Sequence, residues 1–199
     1  MAAYPMRLEP GTLVVFEGLD RTGKSTQVSQ LRSASWSEPS PAFTHMPSGT
    51  TELSRKIYRL TEDFEIDSPL ARQLLHLACH AENLGPLAAA LRERAVVLDR
   101  WWWSTVAYGQ RAVHETYGID EAAFRGLIDS IWSRIEADVV FLFTTPYQRD
   151  ELNRDQVREA YEQLADRYPA LTVRVPRAEP DQTQAFIIGA LRDRGLVSG

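Results

Sequence analysis

The chain has 199 residues, which predicts one domain with one hydrophobic core. Its net charge of −5 disfavours a broad basic surface for nucleic acid, and its single cysteine, Cys79, excludes an internal disulfide framework. No apolar stretch has the length of a membrane span and residues 1–10 lack the apolar run of a signal peptide, so we expect a cytoplasmic protein.

Short apolar runs alternate with helix-like segments along the chain. The runs predict buried strands at 13–16, 42–45, 95–98, 139–143 and 171–175. Helical spacing predicts helices at 26–33, 51–60, 69–94 with an interruption at Gly85-Pro86, 119–135, 154–168 and 182–192. Because continuous apolar strands alternate with helices, we expect a three-layer α/β domain over residues 1–199, with a parallel sheet of about five strands covered on both faces.

A glycine-bearing loop follows the first strand. Residues 18–25, GLDRTGKS, match the phosphate-binding pattern G-x-x-x-x-G-K-[ST] between a strand and a helix. Its glycines allow successive backbone N–H groups to turn toward a phosphate, and the helix adds its positive N-terminal end. We therefore expect Lys24 to reach the β- and γ-phosphates of ATP and the Ser25 hydroxyl to hold Mg²⁺.

A second charged segment ends the strand at 95–98. Asp99 stands where an acid can hold the hydration shell of Mg²⁺, and Arg100 can grip a phosphate with two hydrogen bonds. The alternative is a helix-capping acid beside an exposed arginine. Ligands bind beyond the carboxyl ends of parallel strands, and both Asp99 and the loop at 18–25 fall there, which favours the functional interpretation.

The two segments together resemble those of the thymidylate kinases. The run at 16–27, FEGLDRTGKSTQ, is similar to the opening of that family, and Asp99-Arg100-Trp101 followed by Ser104 and Tyr108 is similar to its Asp-Arg-aromatic segment. The order of strands and helices agrees along nearly the whole chain. The resemblance implies a P-loop kinase fold, a homodimer, and ATP and Mg²⁺ as cofactors.

The resemblance also implies roles by position. Asp20 would hold the 3′-hydroxyl of the acceptor sugar, Arg21 would stabilise charge in transit, Arg100 would contact the acceptor phosphate, and Tyr108 would pack on the deoxyribose. The implied ATP contacts are Gly18, Thr22, Gly23, Lys24, Ser25 and Thr26, and the implied catalytic residues are Lys24, Arg21, Arg100 and Asp99. The residues that would order the metal and its waters are Ser25, Asp99 and Glu17. The acceptor site would be lined by Asp20, His76, His80, Trp101, Ser104 and Tyr108.

Three departures from the family pattern lie on the acceptor side and in the lid. The segment at 44–50 lacks the arginine that clamps the acceptor phosphate, for which His45 or Arg55 are candidate substitutes. The lid, at 144–153, is short, with Arg149 and Arg154 as its candidate arginines.

The third departure places His76 and His80 where the family has a stacking phenylalanine and a base-reading arginine. An i,i+4 pair shares one helix face, and three interpretations stay open: base contact, packing, or a metal site. Trp101 is expected to wall the acceptor site, and Trp102 and Trp103 to pack in the core or at a dimer interface.

The leading hypothesis is phosphoryl transfer from ATP to a deoxynucleoside monophosphate, with thymidylate (dTMP to dTDP) as the default acceptor. Because the departures concern the acceptor side, one alternative is a P-loop kinase for another or a modified nucleotide or nucleoside. A further alternative is a nucleotide-binding module without catalysis, against which Lys24, Ser25, Asp99 and Arg100 argue.

Overall fold

A computed structural model describes residues 5–199 of the chain. Residues 1–4, part of the stretch in which we expect no signal peptide, lie outside the described residues. The strands are β1 (Arg7–Leu8), β2 (Leu13–Gly18), β3 (Ala42–His45), β4 (Val96–Asp99), β5 (Val139–Phe143), β6 (Thr172–Arg174) and β7 (Val197–Ser198).

The helices follow the expected order. They are α1 (Lys24–Ser33), α2 (Glu52–Asp63), α3 (Pro69–Glu93), α4 (Trp102–Thr105), α5 (Arg111–Tyr117), α6 (Glu121–Trp132), α7 (Asp155–Arg167) and α8 (Pro180–Asp193), with a π-helical turn at Val106–Gln110 between α4 and α5. Among residues 5–199, no helix combines the length and apolar character that crossing a bilayer requires.

Five parallel strands form the central sheet, in the order β3-β4-β2-β5-β6. Strand β2 lies in the middle, and its register pairs Phe16 with Asp99 of β4 and Gly18 with Phe143 of β5. All residues of β2 and β5 are buried, as expected for strands covered on both faces. The register brings the carboxyl ends of β2, β4 and β5 to one edge of the sheet, where the phosphate loop begins.

Helices cover both faces of this sheet and form two hydrophobic cores. On one face, Val28 and Leu31 of α1 pack with Ile187 and Leu191 of α8. On the other face, α3, α6 and α7 contribute buried residues that include Leu77, Leu87, Phe124, Ile128 and Tyr161. The three-layer α/β architecture with a five-stranded parallel sheet is therefore confirmed.

The structure corrects the expected interruption of the long helix. Helix α3 is continuous from Pro69 to Glu93, with Pro86 in its interior. Proline removes one backbone donor and usually kinks a helix. Here Leu84 and Leu87, on either side of Pro86, pack on the same core, so tertiary contacts carry the helix through the weak point.

Three further parts of the fold were not predicted from residue patterns, and one of them is α5, a helix of only seven residues. Helix α4 begins in Trp102-Trp103, both buried, so this segment lacks the alternation of polar and apolar residues that marks a surface helix. The antiparallel pair β1–β7 joins Leu8 to Val197, and two-residue strands are too short to show a period of two.

Candidate active site

The phosphate loop connects β2 to α1 through two glycines in conformations that other residues rarely adopt. Gly18 has a φ of +131°, and an added Cβ would lie 2.0 Å from the carbonyl oxygen of Phe143. Gly23 has a φ of +89° and caps α1 without a side-chain hydrogen bond to the first turn. No side chain of the N-cap residue occupies the N-terminal N–H groups of α1, so these groups can donate hydrogen bonds to a bound anion.

Lys24 lies inside this loop. Its side chain is buried, and its Nζ donates to the carbonyl oxygen of Gly18 at 3.1 Å and to that of Leu19. Burial, with a smaller contribution from nearby Arg100, lowers the pKa of the Lys24 ammonium to about 7, although Asp20, Asp99 and Glu17 oppose the shift. A buried cation that is satisfied mainly by backbone carbonyls is placed to exchange those partners for phosphate oxygens.

Ser25 and Asp99 meet at the sheet edge. The Ser25 hydroxyl donates to Oδ2 of Asp99 at 3.4 Å, because β4 lies beside β2 and ends where α1 begins. A hydroxyl beside a carboxylate fits Mg²⁺, a hard cation that takes a few protein oxygens and completes its shell with water and substrate phosphate. No group of three or more His, Cys, Asp or Glu side chains that could hold a metal occurs among residues 5–199.

Glu17 occupies a different place from Ser25 and Asp99. Its buried carboxyl group accepts hydrogen bonds from the backbone N–H of Trp101 at 2.7 Å, from the N–H and hydroxyl of Ser104 at 3.0 and 2.7 Å, and from the hydroxyl of Tyr161 at 3.1 Å. Burial raises the pKa of Glu17, and Arg100 opposes the shift. Glu17 therefore does not lie with Ser25 and Asp99 at the expected metal position. Instead, its hydrogen bonds fix the start of α4, which directly follows Arg100 and Trp101.

Asp20, Arg100 and Tyr108 form one cluster opposite Lys24. The Arg100 guanidinium donates from Nη2 to Oδ1 of Asp20 and from Nη1 to the Ser104 hydroxyl at 3.0 Å. The Tyr108 hydroxyl donates to Oδ2 of Asp20 at 3.3 Å, and the guanidinium lies 5.6 Å from the centre of the Tyr108 ring. Arg100 has a φ of +70°, a left-handed conformation that is uncommon outside glycine and clusters at functional sites.

A cavity of about 790 Å³ joins the phosphate loop to this cluster. Its size suits a nucleotide-sized ligand. The lining residues from the predicted set are Asp20, Arg21, Thr22, Gly23, Lys24, Ser25, Thr26, His76, Asp99, Arg100, Trp101, Ser104 and Tyr108. His45, a candidate substitute for the missing arginine, also lines the cavity, and the lining residues not predicted as site residues include Tyr58, Arg72 and Gln73.

The structure separates the two predicted histidines. His76 lines the cavity, with its ring 6.3 Å from that of Tyr58. His80 is fully buried and does not line the cavity: its Nε2 lies 3.0 Å from the Thr105 hydroxyl, and its ring packs edge-on against Trp132 at 5.5 Å. For His80 the geometry therefore favours the packing interpretation, and the turn that faces the cavity is the one carrying Arg72 and His76.

Burial lowers the pKa of both histidines. The pKa of His76 falls to about 4, with a smaller contribution from Arg72, and that of His80 falls to about 3, with a smaller contribution from His76. Both imidazoles are consequently neutral near pH 7. An i,i+4 pattern could have identified Arg72, which stands one turn before His76, as readily as it identified His80.

The tryptophan run divides as expected. Trp101 is 4% exposed and lines the cavity. Trp102 and Trp103 are buried, and both rings lie 6.0 Å from that of Tyr168 at the end of α7. They contribute to the hydrophobic core, not to an exposed surface.

The short lid lies against the phosphate loop. Arg21, which is half-exposed, donates to Asp150 at 2.7 Å, and the Asn153 side chain contacts the backbone of Asp20. No local sequence pattern indicates Asn153, because its side chain binds the backbone of a residue that is distant in the chain.

Comparison with known proteins places this arrangement in a family. The family model "Thymidylate kinase" matches residues 16–175. A probable thymidylate kinase of Methanoculleus marisnigri is 31% identical over 199 residues, covering 90% of this chain and 94% of the relative. The thymidylate kinase of Chlorobium luteolum is 33% identical over 134 residues, and this match spans 65% of the chain and only 60% of the relative's length.

Solved structures agree on the fold. The crystal structure of thymidylate kinase from Ehrlichia chaffeensis superposes with a TM-score of 0.73 at 20% identity, covering 92% of this chain and all of the other. The thymidylate kinase of Candida albicans superposes with a TM-score of 0.68 at 19% identity, covering 98% of this chain.

Proposed function

Because this chain belongs to the thymidylate kinase family, we propose that it transfers the γ-phosphoryl group of ATP to the 5′-phosphate of dTMP. One observation carries the proposal. A single cavity holds both Lys24, inside a phosphate loop, and the cluster of Asp20, Arg100 and Tyr108 opposite it. Donor and acceptor phosphates bound there would meet between Lys24 and Arg100.

On the ATP side, the loop amides and Lys24 bind the polyphosphate. The Ser25 hydroxyl and the Asp99 carboxylate, 3.4 Å apart, would hold Mg²⁺ and its waters. When bound, Mg²⁺ neutralises charge on the β- and γ-phosphates. Arg21, exposed at the mouth of the cavity, can lean over the transferred group as its charge spreads.

On the acceptor side, Arg100 is the anion-binding group. It is held by Ser104 and Asp20, so its guanidinium is oriented before substrate arrives. The Asp20 carboxylate accepts a hydrogen bond from the 3′-hydroxyl of the sugar. The Tyr108 ring packs on the deoxyribose and disfavours a substrate that carries a 2′-hydroxyl. Trp101 and His76 line the part of the cavity that would hold the base. Because His76 is neutral, its ring can accept or donate one hydrogen bond.

The missing arginine after β3 is compensated within the same cavity. His45, at the end of β3, lies 3.1 Å from the Ser48 hydroxyl, and burial lowers its pKa, so it is a weak partner for an anion. Arg72 of α3 lines the cavity and supplies a second guanidinium. Arg55 instead donates to the Thr50 carbonyl at 2.6 Å and does not line the cavity.

A second candidate function follows from His76 and His80, which stand where the family has its stacking and base-reading residues, and from Arg72, which lines the cavity beside His76. A base other than thymine, or a modified pyrimidine, is the alternative acceptor. A panel of nucleoside monophosphates and nucleosides with Mg-ATP tests both. We expect dTMP to turn over fastest. Turnover of another acceptor with dTMP inert would establish the alternative, and ATP binding without any turnover would establish a non-catalytic module.

We further infer a homodimer that acts in the cytoplasm, where ATP is abundant. Support for the dimer is an exposed apolar surface on α2 and the start of α3. Leu53, Leu60, Phe64 and Leu74 are between 47% and 63% exposed there. Exposed apolar patches of this kind mark interaction sites on soluble proteins.

A further inference from the structure

Asn153 grips the backbone of Asp20 with both ends of its carboxamide. The Asp20 N–H donates to Oδ1 of Asn153 at 2.8 Å, and Nδ2 of Asn153 donates to the Asp20 carbonyl at 2.7 Å. The N–H and the carbonyl of one loop residue are thereby both paired, as they would be by a neighbouring strand. Both bonds are partly buried, which reduces competition from bulk water.

The next residue, Arg21, carries backbone strain. Its φ is +57°, in the left-handed region that disfavours a side chain. Its carbonyl oxygen accepts from the Tyr147 N–H at 2.9 Å, and its guanidinium donates to Asp150 at 2.7 Å and to Gln148 at 3.3 Å. Strained conformations persist only where surrounding contacts over-determine them, and here all the partners come from the segment at 147–153.

The segment is braced within itself. The Leu152 N–H donates to Oδ1 of Asp150 at 2.9 Å, and the Asn153 N–H donates to the Asp150 carbonyl at 3.1 Å. The partners of Arg21 and Asp20 are therefore fixed relative to each other. On its other side, the Asp20 carboxylate is held by Arg100 and Tyr108, so the loop residue is restrained from two directions.

We propose that Asn153 is a positioning residue for phosphoryl transfer. By clamping the backbone of Asp20 it holds Arg21 in its left-handed conformation, so that the Asp20 carboxylate and the Arg21 guanidinium are in place before substrate binds. The proposal rests on the proposed function, because it assigns Asn153 to the reaction at the same site.

The carboxamide is suited to this task. It offers one acceptor and one donor side by side, which match the N–H and carbonyl of one residue. Aspartate would keep the acceptor but set a carboxylate oxygen against the Asp20 carbonyl. Alanine would lose both bonds, and glutamine, one methylene longer, would displace them.

The first test compares Asn153→Ala and Asn153→Asp with wild type. We expect kcat to fall about 10- to 100-fold in both, while KM values for ATP and the acceptor change by less than about threefold, because orientation is lost and binding groups stay. Glu151→Ala is the matched control, since Glu151 is exposed in the same turn and makes no side-chain hydrogen bond among residues 5–199. Unchanged kcat in both variants, measured well below their melting temperatures, would overturn the proposal.

The second test asks whether Asn153 acts through the loop. In an Arg21→Ala background, Asn153→Ala should cost a smaller factor in kcat than it does in wild type, because one of the two groups that Asn153 positions is gone and only the Asp20 carboxylate remains. If the two substitutions act independently, their losses in kcat multiply in the double variant, and that result would contradict a positioning role through Arg21. Hydrogen exchange of the amides at 20–22 in the free protein should quicken in Asn153→Ala and not in Glu151→Ala, a readout that requires no turnover.

These measurements separate the two proposals. The kinetics use whichever acceptor wild type phosphorylates. Absence of turnover on every acceptor would overturn both the kinase assignment and the role of Asn153. Turnover of dTMP with unaltered kcat, multiplicative losses or unaltered exchange in the Asn153 variants would overturn the role of Asn153 alone.

Discussion

The hydroxyl of Ser25 donates to a carboxylate oxygen of Asp99 across 3.4 Å, joining the first turn of α1 to the end of β4. The two residues are 74 positions apart in the chain and meet only because β4 pairs with β2 in parallel. This contact joins the phosphate loop to the segment that carries Arg100. The proposed ATP and acceptor sites would therefore be held by the same edge of the sheet.

Lys24→Ala should abolish most turnover and leave the fold intact. In the proposed reaction the ammonium neutralises charge on the transferred group, so kcat/KM should fall on the order of 10²- to 10³-fold. Near-ultraviolet circular dichroism and the melting temperature check the fold. Lys56→Ala is the control, since Lys56 is an exposed residue of α2 paired only with Glu52 on the same helix. Wild-type activity in Lys24→Ala would contradict the assignment.

ATP binding should take up a proton above pH 7. Burial lowers the pKa of free Lys24 to about 7, so the amine is largely neutral at pH 8, whereas a bound polyphosphate favours its charged form. Affinity should weaken as pH rises from about 7 to 9. Titration calorimetry at pH 8 in two buffers of different ionisation enthalpy measures the proton. Equal uptake in Lys24→Ala would assign it to another group.

His80 should make the protein less stable in mild acid. Its pKa is about 3 in the folded chain against 6.5 as the ordinary value, so its contribution is present above pH 6.5 and is lost as pH falls. From pH 7 to pH 5 this amounts to about 2 kcal/mol of unfolding free energy. Urea denaturation of wild type and His80→Leu at both pH values measures it. The same slope in both proteins would exclude His80 as the cause.

A charge at Phe64, the residue directly after α2, should dissociate the proposed homodimer. Phe64 is 63% exposed, and Phe64→Glu would bury an unpaired carboxylate in the interface. Light scattering should give the monomer mass for this variant and the dimer mass for wild type. Phe186→Glu, on α8, alters an exposed aromatic residue away from this surface and should stay dimeric. A monomeric wild type at about micromolar concentration would remove the homodimer proposal.

Local signals made the phosphate loop and the sheet predictable. The loop needs its glycines and Lys24 in a fixed short spacing, and β2 and β5 are continuous apolar runs because both of their faces are buried. The contact of Asp99 with Ser25 follows from strand order alone. These features depend on neighbours in sequence or on the general geometry of parallel sheets.

The residues that line the proposed acceptor site or brace the phosphate loop were harder to predict. An i,i+4 pair identifies a helix face but not what that face meets, and packing of Leu77 and Leu87 turns His80 toward the core and Arg72 toward the cavity. Asn153 binds a backbone 133 residues away, so no spacing could have revealed it. Such contacts are determined by tertiary structure alone.

The ribbon formed by β1 and β7 places Leu8 beside Val197, so the path of the polypeptide nearly closes on itself. A short flexible peptide could join Gly199 to Pro5, and new ends could be opened in the exposed segment after α2, at Glu65. Such a circular permutant would keep every layer of the domain. It would also turn the most distant strand pairing in the molecule into a neighbouring one, with a smaller entropic cost of closure during folding.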